Sequence, residues 1–253
     1  MLKEGININQ LLSITGGKLI QKGPELFTNI STDSRAVSNN EFFVPLSGEN
    51  FNGHKFINMA FEKGASGTLV KREEKLELQL GKTYIEVIDT LKAYQAIATF
   101  VRKTINPFVI GITGSSGKTS TKELAYAFLS QFQTTFKSEA NFNNEIGVPQ
   151  TLLKLTETDK VAIIEMGMRG KGQIAELAEI AQPNTGIITG VGSAHIELLG
   201  SREEIAKAKW ELADFLKESG ETLVIPAYDE HLISLSKDFP QDKQRRHQRC
   251  PDH

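Results

Sequence analysis

A phosphate-binding loop is the strongest chemical signal in the sequence. The apolar run Phe108–Thr113 leads into a Gly/Ser-rich stretch that opens a helical pattern: Gly114, Ser115, Ser116, Gly117, Lys118, Thr119 and Ser120. Between a strand and a helix, such glycines let backbone N–H groups converge on phosphate oxygens, and the helix N-terminus adds its positive dipole end. Lys118 supplies a point charge, and the Thr119 hydroxyl is placed to bind Mg²⁺. The common form of this loop has glycine where this chain has Ile112, so we predict a variant phosphate loop; the alternative is a plain turn between strand and helix.

A carboxylate ends a second apolar run further along the chain. Val161–Ile164 read as a buried strand, and Glu165 follows directly. Acidic residues often end strands, but a nucleotide-binding α/β sheet places its second Mg²⁺ ligand at this kind of position. We therefore predict that Glu165 binds the metal.

Lys209 lies at the edge of an apolar helical stripe formed by Ile205, Ala208, Leu212 and Leu216. In one interpretation its aliphatic stem covers apolar surface while the ammonium reaches water. In the other, burial lowers the lysine pKa, and the neutral amine adds CO₂ to become a carbamate, which is a carboxylate ligand for a metal. The pattern alone leaves both interpretations open.

His195 follows a third predicted strand, Thr185–Thr189. Ligands bind at the carboxyl edge of open α/β sheets, and this histidine falls on that edge together with the phosphate loop. A single histidine is usually structural, so a structural role and a metal or substrate contact stay equally open.

Alternating strands and amphipathic helices must position these residues. Four runs read as strands: Phe108–Thr113, Val161–Glu165, Thr185–Thr189 and Thr222–Ile225. The helices between them include residues 118–132, with Leu124, Phe128 and Phe132 on one face, and a helix opened by the capping box Ser201–Glu204. This order predicts an α/β fold with a mostly parallel sheet over residues 107–238.

A smaller α/β domain is predicted for residues 1–106. It alternates short β-rich runs such as 42–46 with short helices, and its last helix is capped by Asp89 and stopped by Asn106-Pro107. Residues 239–253 are polar, with no apolar period, and we predict a disordered, solvated tail.

Composition excludes several classes of protein. The 253 residues are 39% hydrophobic and 24% charged, which is typical of a globular chain rather than of a disordered or collagen-like one. The net charge of −2 argues against a nucleic-acid partner. A single cysteine, Cys250, fits a reducing compartment, and no apolar stretch has the length of a signal peptide core or a membrane span. We predict a cytoplasmic location and no membrane insertion.

Five stretches together resemble the Mur ligase family. They are Ser31–Arg35 with Phe43–Gly48, Thr113–Thr119, Asn141–Pro149, Glu165–Ile174, and Ala194–Ser201 followed by Ala206–Lys209. The third and fourth stretches resemble the branch that joins D-alanyl-D-alanine to UDP-N-acetylmuramoyl-tripeptide.

The resemblance implies an ATP- and Mg²⁺-dependent amide ligase that works through an acyl phosphate, acts on those two substrates and is a monomer. It implies a UDP-sugar-binding domain followed by an ATP-binding domain, and we expect the family's third, dinucleotide-fold domain to be absent. Thr119 and Glu165 would hold one Mg²⁺, and His195 and a carbamylated Lys209 would hold or support the second. Lys118 would act with the two metal ions in phosphoryl transfer, and Asn144 would orient substrate near the acyl centre. For the UDP-sugar, the resemblance implies Ser31, Asp33, Ser34, Arg35, Gly48, Asn52 and His54.

The chain departs from the family pattern in the run 225–229, where Ile-Pro-Ala-Tyr-Asp replaces an Asn-Ala-Asp-Asp-like loop near the adenine. If the third domain is absent as expected, turnover by this chain is expected to be poor. Two alternatives stay open: a small-molecule kinase or NTPase with a phosphate loop, and a non-catalytic UDP-sugar-binding fragment.

Overall fold

The structure is a computed structural model that describes residues 2–48, 51–139, 142–194 and 196–247. Two main β-sheets organise these residues. They belong to separate units, the first comprising Met1–Thr104 with Leu153–Glu157 and the second Ile105–Leu152 with Thr158–His253. The change of unit lies close to the predicted boundary between residues 106 and 107.

The first unit contains a five-stranded sheet and short helices. Its strands are β1 (Ile6–Asn7), β2 (Lys18–Gln21), β3 (Leu26–Phe27), β4 (Ile30–Ser31), β5 (Phe42–Phe43), β6 (Ser47–Gly48), β7 (Phe51–Asn52), β8 (Gly67–Lys71) and β9 (Thr83–Val87). Its helices are α1 (Ile8–Thr15), α2 (Ile57–Glu62) and α3 (Thr90–Ile105). The main sheet has the order β2-β9-β8-β5-β4, parallel except for β2, while β1 pairs with β3 and β6 with β7.

The second unit is built on a fully parallel six-stranded sheet of order β11-β12-β10-β13-β14-β15. Its strands are β10 (Phe108–Thr113), β11 (Thr135–Lys137), β12 (Val161–Glu165), β13 (Thr185–Ile188), β14 (Thr222–Pro226) and β15 (Gln244–His247). Its helices are α4 (Lys118–Leu129), α5 (Gly147–Leu153), α6 (Gln173–Ala181), α7 (Ile196–Leu199), α8 (Arg202–Ser219) and α9 (Glu230–Leu235). The predicted α/β class with a parallel sheet is confirmed.

The four predicted strands of this sheet are present as β10, β12, β13 and β14. All five residues of β12 are buried, as expected for a strand covered on both faces. Its partner β10 runs in parallel register, with Ile112 opposite Glu165. The phosphate loop and Glu165 therefore follow neighbouring strands at the same edge of the sheet.

Helix α8 begins where the sequence predicts. The Ser201 side chain accepts a hydrogen bond from the Glu204 backbone N–H, and Gly220 ends the helix in the left-handed region at φ 72°. The predicted stripe is buried, and Leu212 and Leu216 pack so close to β13 that a Cβ on Gly186 would lie 2.4 Å from Leu216. This close packing holds Lys209 against the sheet.

Helix α4 buries a different face from the predicted one. The helix ends at Leu129, and Leu124, Phe128 and Phe132 are exposed by 73%, 66% and 69%. The inner face instead carries Lys122, which is buried, and Ala125, Tyr126 and Leu129, which pack against Ile112 and Ile163. The exposed and the buried set of residues both have helical spacing, so periodicity alone cannot tell which face is buried, and the predicted face is wrong.

The predicted disordered tail is wrong for residues 239–247. Phe239 is buried and its ring meets Trp210 edge-on at 6.4 Å between centroids, and β15 pairs with β14. An edge strand is held by main-chain hydrogen bonds, which a polar sequence supplies as well as an apolar one. Residues 248–253, including Cys250, lie outside the described residues.

Among the described residues, no helix is both long enough and apolar enough to cross a membrane.

Candidate nucleotide-binding site

The predicted phosphate loop joins the end of β10 to the start of α4 and is fixed against the end of β13. The Ser115 N–H donates to the Gly190 carbonyl at 3.0 Å, and the Thr189 hydroxyl donates to the Ser116 carbonyl at 2.6 Å. Gly114 has φ 154°, and a Cβ there would lie 1.8 Å from the Thr189 hydroxyl oxygen, so only glycine fits. The loop is thus pinned in one conformation before any ligand binds.

The start of α4 has the properties of an anion site. Gly117 is its N-cap in the left-handed region, and no side chain caps the helix within the described part of the chain. The buried hydroxyls of Thr113 and Ser115 have no hydrogen-bond partner among the described residues. Helix N–H groups and unused hydroxyls together suit the oxygens of a phosphate chain.

Glu165 is held beside Thr119 by a set of short contacts. The carboxylate is 4% exposed; its Oε2 accepts from the Thr119 hydroxyl at 3.0 Å, and its Oε1 accepts from the Asn143 side-chain amide at 2.9 Å. The Glu165 backbone N–H donates to the Ser138 hydroxyl at 3.0 Å. Two neighbouring strands therefore place the two predicted Mg²⁺ ligands in direct contact.

The chemistry of these two ligands fits Mg²⁺. A hydroxyl and a carboxylate are hard oxygen donors, and Mg²⁺ is usually bound by one or two carboxylates completed by water and substrate phosphates. Within the described residues no cluster of three or more His, Cys, Asp or Glu side chains forms an all-protein metal cage. The donor set is that of a metal shared with a nucleotide.

Lys209 is fully buried on α8, with 1% exposure. Burial, assisted by the neighbouring positive charge of Lys118, lowers the pKa of Lys209 from 10.5 to about 8. With a pKa of about 8, roughly one amine in ten is neutral at pH 7. This fraction makes the carbamate chemistry accessible. The interpretation in which the ammonium reaches water at the surface is wrong, because the side chain is buried.

One cavity of about 620 Å³ is lined by residues of the phosphate loop, Asn144 and Lys209. Its lining residues are Gly114, Lys118, Asn143, Asn144, Glu145, Gly167, Met168, Arg169, Gln173, Glu176, Leu177 and Lys209. The Lys118 ammonium donates to the Gly114 carbonyl at 2.8 Å, which folds its side chain over the loop. The phosphate loop, Lys209 and the predicted Asn144 thus share one cavity in the second unit.

Two other predicted residues have specific placements. Asn144 uses its side-chain oxygen to accept from the Gly147 N–H at 2.8 Å, which caps α5. Ser120 lies in the first turn of α4. His195, predicted to bind the second Mg²⁺, lies outside the described residues.

The loop after β14, predicted to depart from the family's adenine contacts, ties down the neighbouring loop. Asp229 caps α9 by accepting from the Leu232 N–H, and its other oxygen accepts from the Val191 N–H at 2.8 Å. The Tyr228 ring is half exposed and meets the His247 ring at 5.9 Å between centroids.

A second cavity, of about 450 Å³, lies in the first unit. Of the residues predicted to bind the UDP-sugar, Asp33, Ser34 and Arg35 line it, together with Phe51 and other residues: Thr32, Phe43, Leu46, Gly53, Phe56 and Met59. The Arg35 guanidinium donates to both carboxylate oxygens of Asp33 at 2.9 Å and holds the pKa of Asp33 at about 2.

The other predicted UDP-sugar residues do not line this cavity. Ser31 accepts from the Asp33 N–H and shapes the turn, and Gly48 is exposed in the hairpin β6–β7. Asn52 accepts from the His54 N–H, and the His54 Nε2 accepts from the Lys71 N–H at 3.0 Å. Burial lowers the pKa of His54, and its Nδ1 lies 2.9 Å from the side-chain oxygen of Asn52 in the hairpin.

Known families match both units. A model described as the Mur ligase middle domain matches residues 112–247, which is more than half of the chain. The chain belongs to the Mur ligase family. A second model of the family, its catalytic domain, matches residues 26–102.

Two relatives within the Mur ligase family carry the same enzyme name. The chain is 51% identical over 186 residues to the UDP-N-acetylmuramoyl-tripeptide–D-alanyl-D-alanine ligase of Synechocystis sp., covering 73% of this chain and 40% of that protein. It is 41% identical over 196 residues to the ligase of the same name from Bacillus subtilis, covering 78% of this chain and 43% of that protein. The chain therefore spans less than half the length of these curated relatives.

Solved Mur ligases share the fold. A MurF from Acinetobacter baumannii superposes with a TM-score of 0.86 at 28% identity, over 96% of this chain and 52% of that one. The MurF ligase of Thermotoga maritima, solved in complex with ADP, gives a TM-score of 0.76 at 30% identity, over 87% of this chain and 49% of that one.

Sequence reasoning did not single out three features of the structure: the buried Lys122, the contact of Asn143 with Glu165, and the ring stack of Phe51 and Phe56. Lys122 lies on the inner face of α4, and the reasoning that singled out Lys209 within an apolar stripe also applies to it. Asn143 precedes the predicted Asn144 and contacts Glu165 directly. In the first unit, the stacked rings of Phe51 and Phe56, with centroids 5.5 Å apart, carry no signal that separates them from core aromatics.

Proposed function

We propose that this chain carries the UDP-sugar- and ATP-binding parts of an ATP-dependent ligase that joins D-alanyl-D-alanine to UDP-N-acetylmuramoyl-tripeptide. One observation supports the proposal above all. Gly114 and Lys118 of the phosphate loop line one cavity of the second unit together with the buried Lys209, and Thr119, the residue after Lys118, contacts Glu165. The names of the relatives supply the substrates.

The first chemical step is phosphoryl transfer. A carboxylate oxygen of the tripeptide attacks the γ-phosphorus of ATP, the bond from that phosphorus to the β,γ-bridging oxygen breaks, and ADP leaves. Lys118 and the N–H groups at the start of α4 stabilise the charge that spreads over the transferred phosphoryl oxygens. The pinned loop holds these donors in place, so little reorganisation is needed during the transfer.

The second step forms the amide. The amine of D-alanyl-D-alanine attacks the acyl carbon of the acyl phosphate, phosphate leaves with the bonding electron pair, and the nitrogen loses a proton. Asn144 lines the cavity with its side-chain oxygen already used to cap α5, so its amide N–H₂ is the group that faces substrate. In this proposal it orients the acyl group.

Metal binding belongs to the same proposal. Thr119 and Glu165 would hold one Mg²⁺, which supplies charge neutralisation of the phosphate oxygens when bound. His195 and a carbamylated Lys209 stay the predicted ligands of a second one.

Recognition of the UDP-sugar is assigned to the first unit. Asp33, Ser34 and Arg35 line its cavity beside aromatic rings, which suits a ligand with a flat base and polar groups. We expect the protein to act as a monomer in the cytoplasm, without nucleic-acid partners.

The proposal is tested by following ADP release from Mg-ATP with the purified chain and UDP-N-acetylmuramoyl-tripeptide, before and after addition of D-alanyl-D-alanine. Calorimetric titration of the tripeptide nucleotide is run in parallel. Tight binding, with slow ADP release that is sustained over many turnovers only after D-alanyl-D-alanine is added, is the expected result for the ligase.

Other outcomes separate the alternatives. Tripeptide nucleotide binding without ADP release identifies a non-catalytic binding fragment. ADP release without binding of the tripeptide nucleotide contradicts the substrate assignment and favours a kinase or NTPase. The matched control is Lys137→Met, a change outside both cavities.

A further inference from the structure

Lys122 is a buried cation that the proposed reaction does not use. It lies one helical turn after Lys118 on the inner face of α4 and is 1% exposed. Its ammonium is 3.7 Å from Glu165 Oε2 and 3.6 Å from Glu123 Oε1. Burying an ammonium is costly unless it is paired, so these two carboxylates account for its presence.

The contacts of Glu165 show what Lys122 adds. Thr119 donates to one carboxylate oxygen and Asn143 to the other, and both are neutral groups. Of these partners Lys122 alone carries a charge, and it approaches the same oxygen as Thr119. Lys122 does not line the 620 Å³ cavity, in contrast to Lys118. Glu165 does not line it either, and the described link from Lys122 to the predicted Mg²⁺ ligands is its ion pair with Glu165 Oε2.

We propose that Lys122 is a positioning residue that fixes the Glu165 carboxylate beside Thr119, so that the two Mg²⁺ ligands are assembled before metal and nucleotide bind. The inference rests on the proposed function, because it assumes that these two residues hold Mg²⁺. Removing one partner of a buried ion pair leaves the other uncompensated, and the carboxylate turns toward a new partner. Loss of a group that orients a metal ligand typically weakens metal binding about 10- to 100-fold.

The test compares Lys122→Met with Lys137→Met. Lys137, on β11, also pairs with Glu123 of α4 but is partly exposed and forms no ion pair with Glu165 among the described residues, so it controls for the loss of a positive charge beside this helix. ADP binding to each variant of this chain is measured by calorimetry over a range of free Mg²⁺ and in EDTA. We expect the Mg²⁺ concentration for half-maximal ADP binding to rise about tenfold or more in Lys122→Met. In Lys137→Met this concentration should equal that of wild type, and the affinity of both variants for metal-free ADP should be unchanged.

A double-mutant cycle tests whether Lys122 acts through Glu165. In a Glu165→Gln background, Lys122→Met is expected to change the Mg²⁺ requirement by less than about twofold, because the group it positions is already lost. Lys122→Gln is one atom shorter but keeps a hydrogen-bond donor, so it is expected to raise the requirement less than Lys122→Met. It replaces that variant if the latter does not fold.

Two results overturn the inference. One is an Mg²⁺ requirement of Lys122→Met, or of its replacement, that equals or falls below that of wild type. The other is an equally large effect in the Glu165→Gln background. If wild type itself does not bind Mg-ADP, the proposed function fails, and that outcome is distinct from either result.

Discussion

Replacing Lys209 by methionine should stabilise the protein while removing a group of the proposed active site. The side chain is buried beside Lys118, and its pKa falls from 10.5 to about 8. Because one pKa unit corresponds to about 1.4 kcal/mol, keeping the ammonium in the folded protein costs about 3 kcal/mol at neutral pH. Methionine keeps the aliphatic stem and carries no charge.

The pH dependence follows from the direction of this pKa change. Below pH 8 the amine is protonated in both the folded and the unfolded state, so the full cost is present. Between pH 8 and 10.5 the unfolded chain binds more protons than the folded one, and the stability of wild type therefore rises with pH. The advantage of Lys209→Met should be about 3 kcal/mol at pH 7 and should shrink toward zero as the pH approaches 10.5.

Urea unfolding of wild type and Lys209→Met, in buffers purged of CO₂ between pH 7 and 10, measures this difference. Purging keeps the amine from forming a carbamate. A variant that is no more stable than wild type at pH 7, or an advantage that does not change with pH, would refute the reasoning from burial.

Three further changes have expected outcomes. Gly114→Ala places a Cβ 1.8 Å from the Thr189 hydroxyl oxygen and should destabilise the second unit by about 2 kcal/mol or more, with loss of ADP binding in calorimetry; unchanged binding contradicts the account of the pinned loop. Burial lowers the pKa of His54, so below pH 6.5 the unfolded chain takes up the proton before the folded one and wild type loses stability. His54→Gln should not show this loss, and identical pH profiles of unfolding for the two proteins from pH 7 to 5 would contradict the prediction. Ser201→Ala removes the cap of α8 and should cost about 1 kcal/mol, seen as a melting temperature about 2–4 °C lower, whereas an unchanged melting temperature would show that the cap contributes nothing.

The phosphate loop could be predicted from the sequence because its chemistry is local. An apolar strand, glycines at fixed spacing and a helix start lie within about a dozen consecutive residues, and each has a physical signature that does not depend on the rest of the fold. The N-cap Ser201 and the end of α3 at Asn106-Pro107 were predictable for the same reason.

Features that depend on tertiary context were not predictable. Helix α4 has two stripes at helical spacing, and only the packing against Ile112 and Ile163 decides that the one with Lys122 is buried. Strand β15 consists of polar residues and forms because β14 offers an unpaired edge. The contact between Asn143 and Glu165 joins residues far apart in the chain, and no single sequence shows such a pairing.

The central claim is that the loop 114–120 binds the phosphates of a nucleotide. Calorimetric titration of Mg-ADP into wild type and Lys118→Ala tests it most directly. Saturable binding of one ADP per wild-type chain is predicted, weakened about 10- to 100-fold in Lys118→Ala, since a hydrogen bond to a charged group contributes about 1.5–3 kcal/mol. Absence of binding to wild type, or equal affinity in the two proteins, would contradict the account.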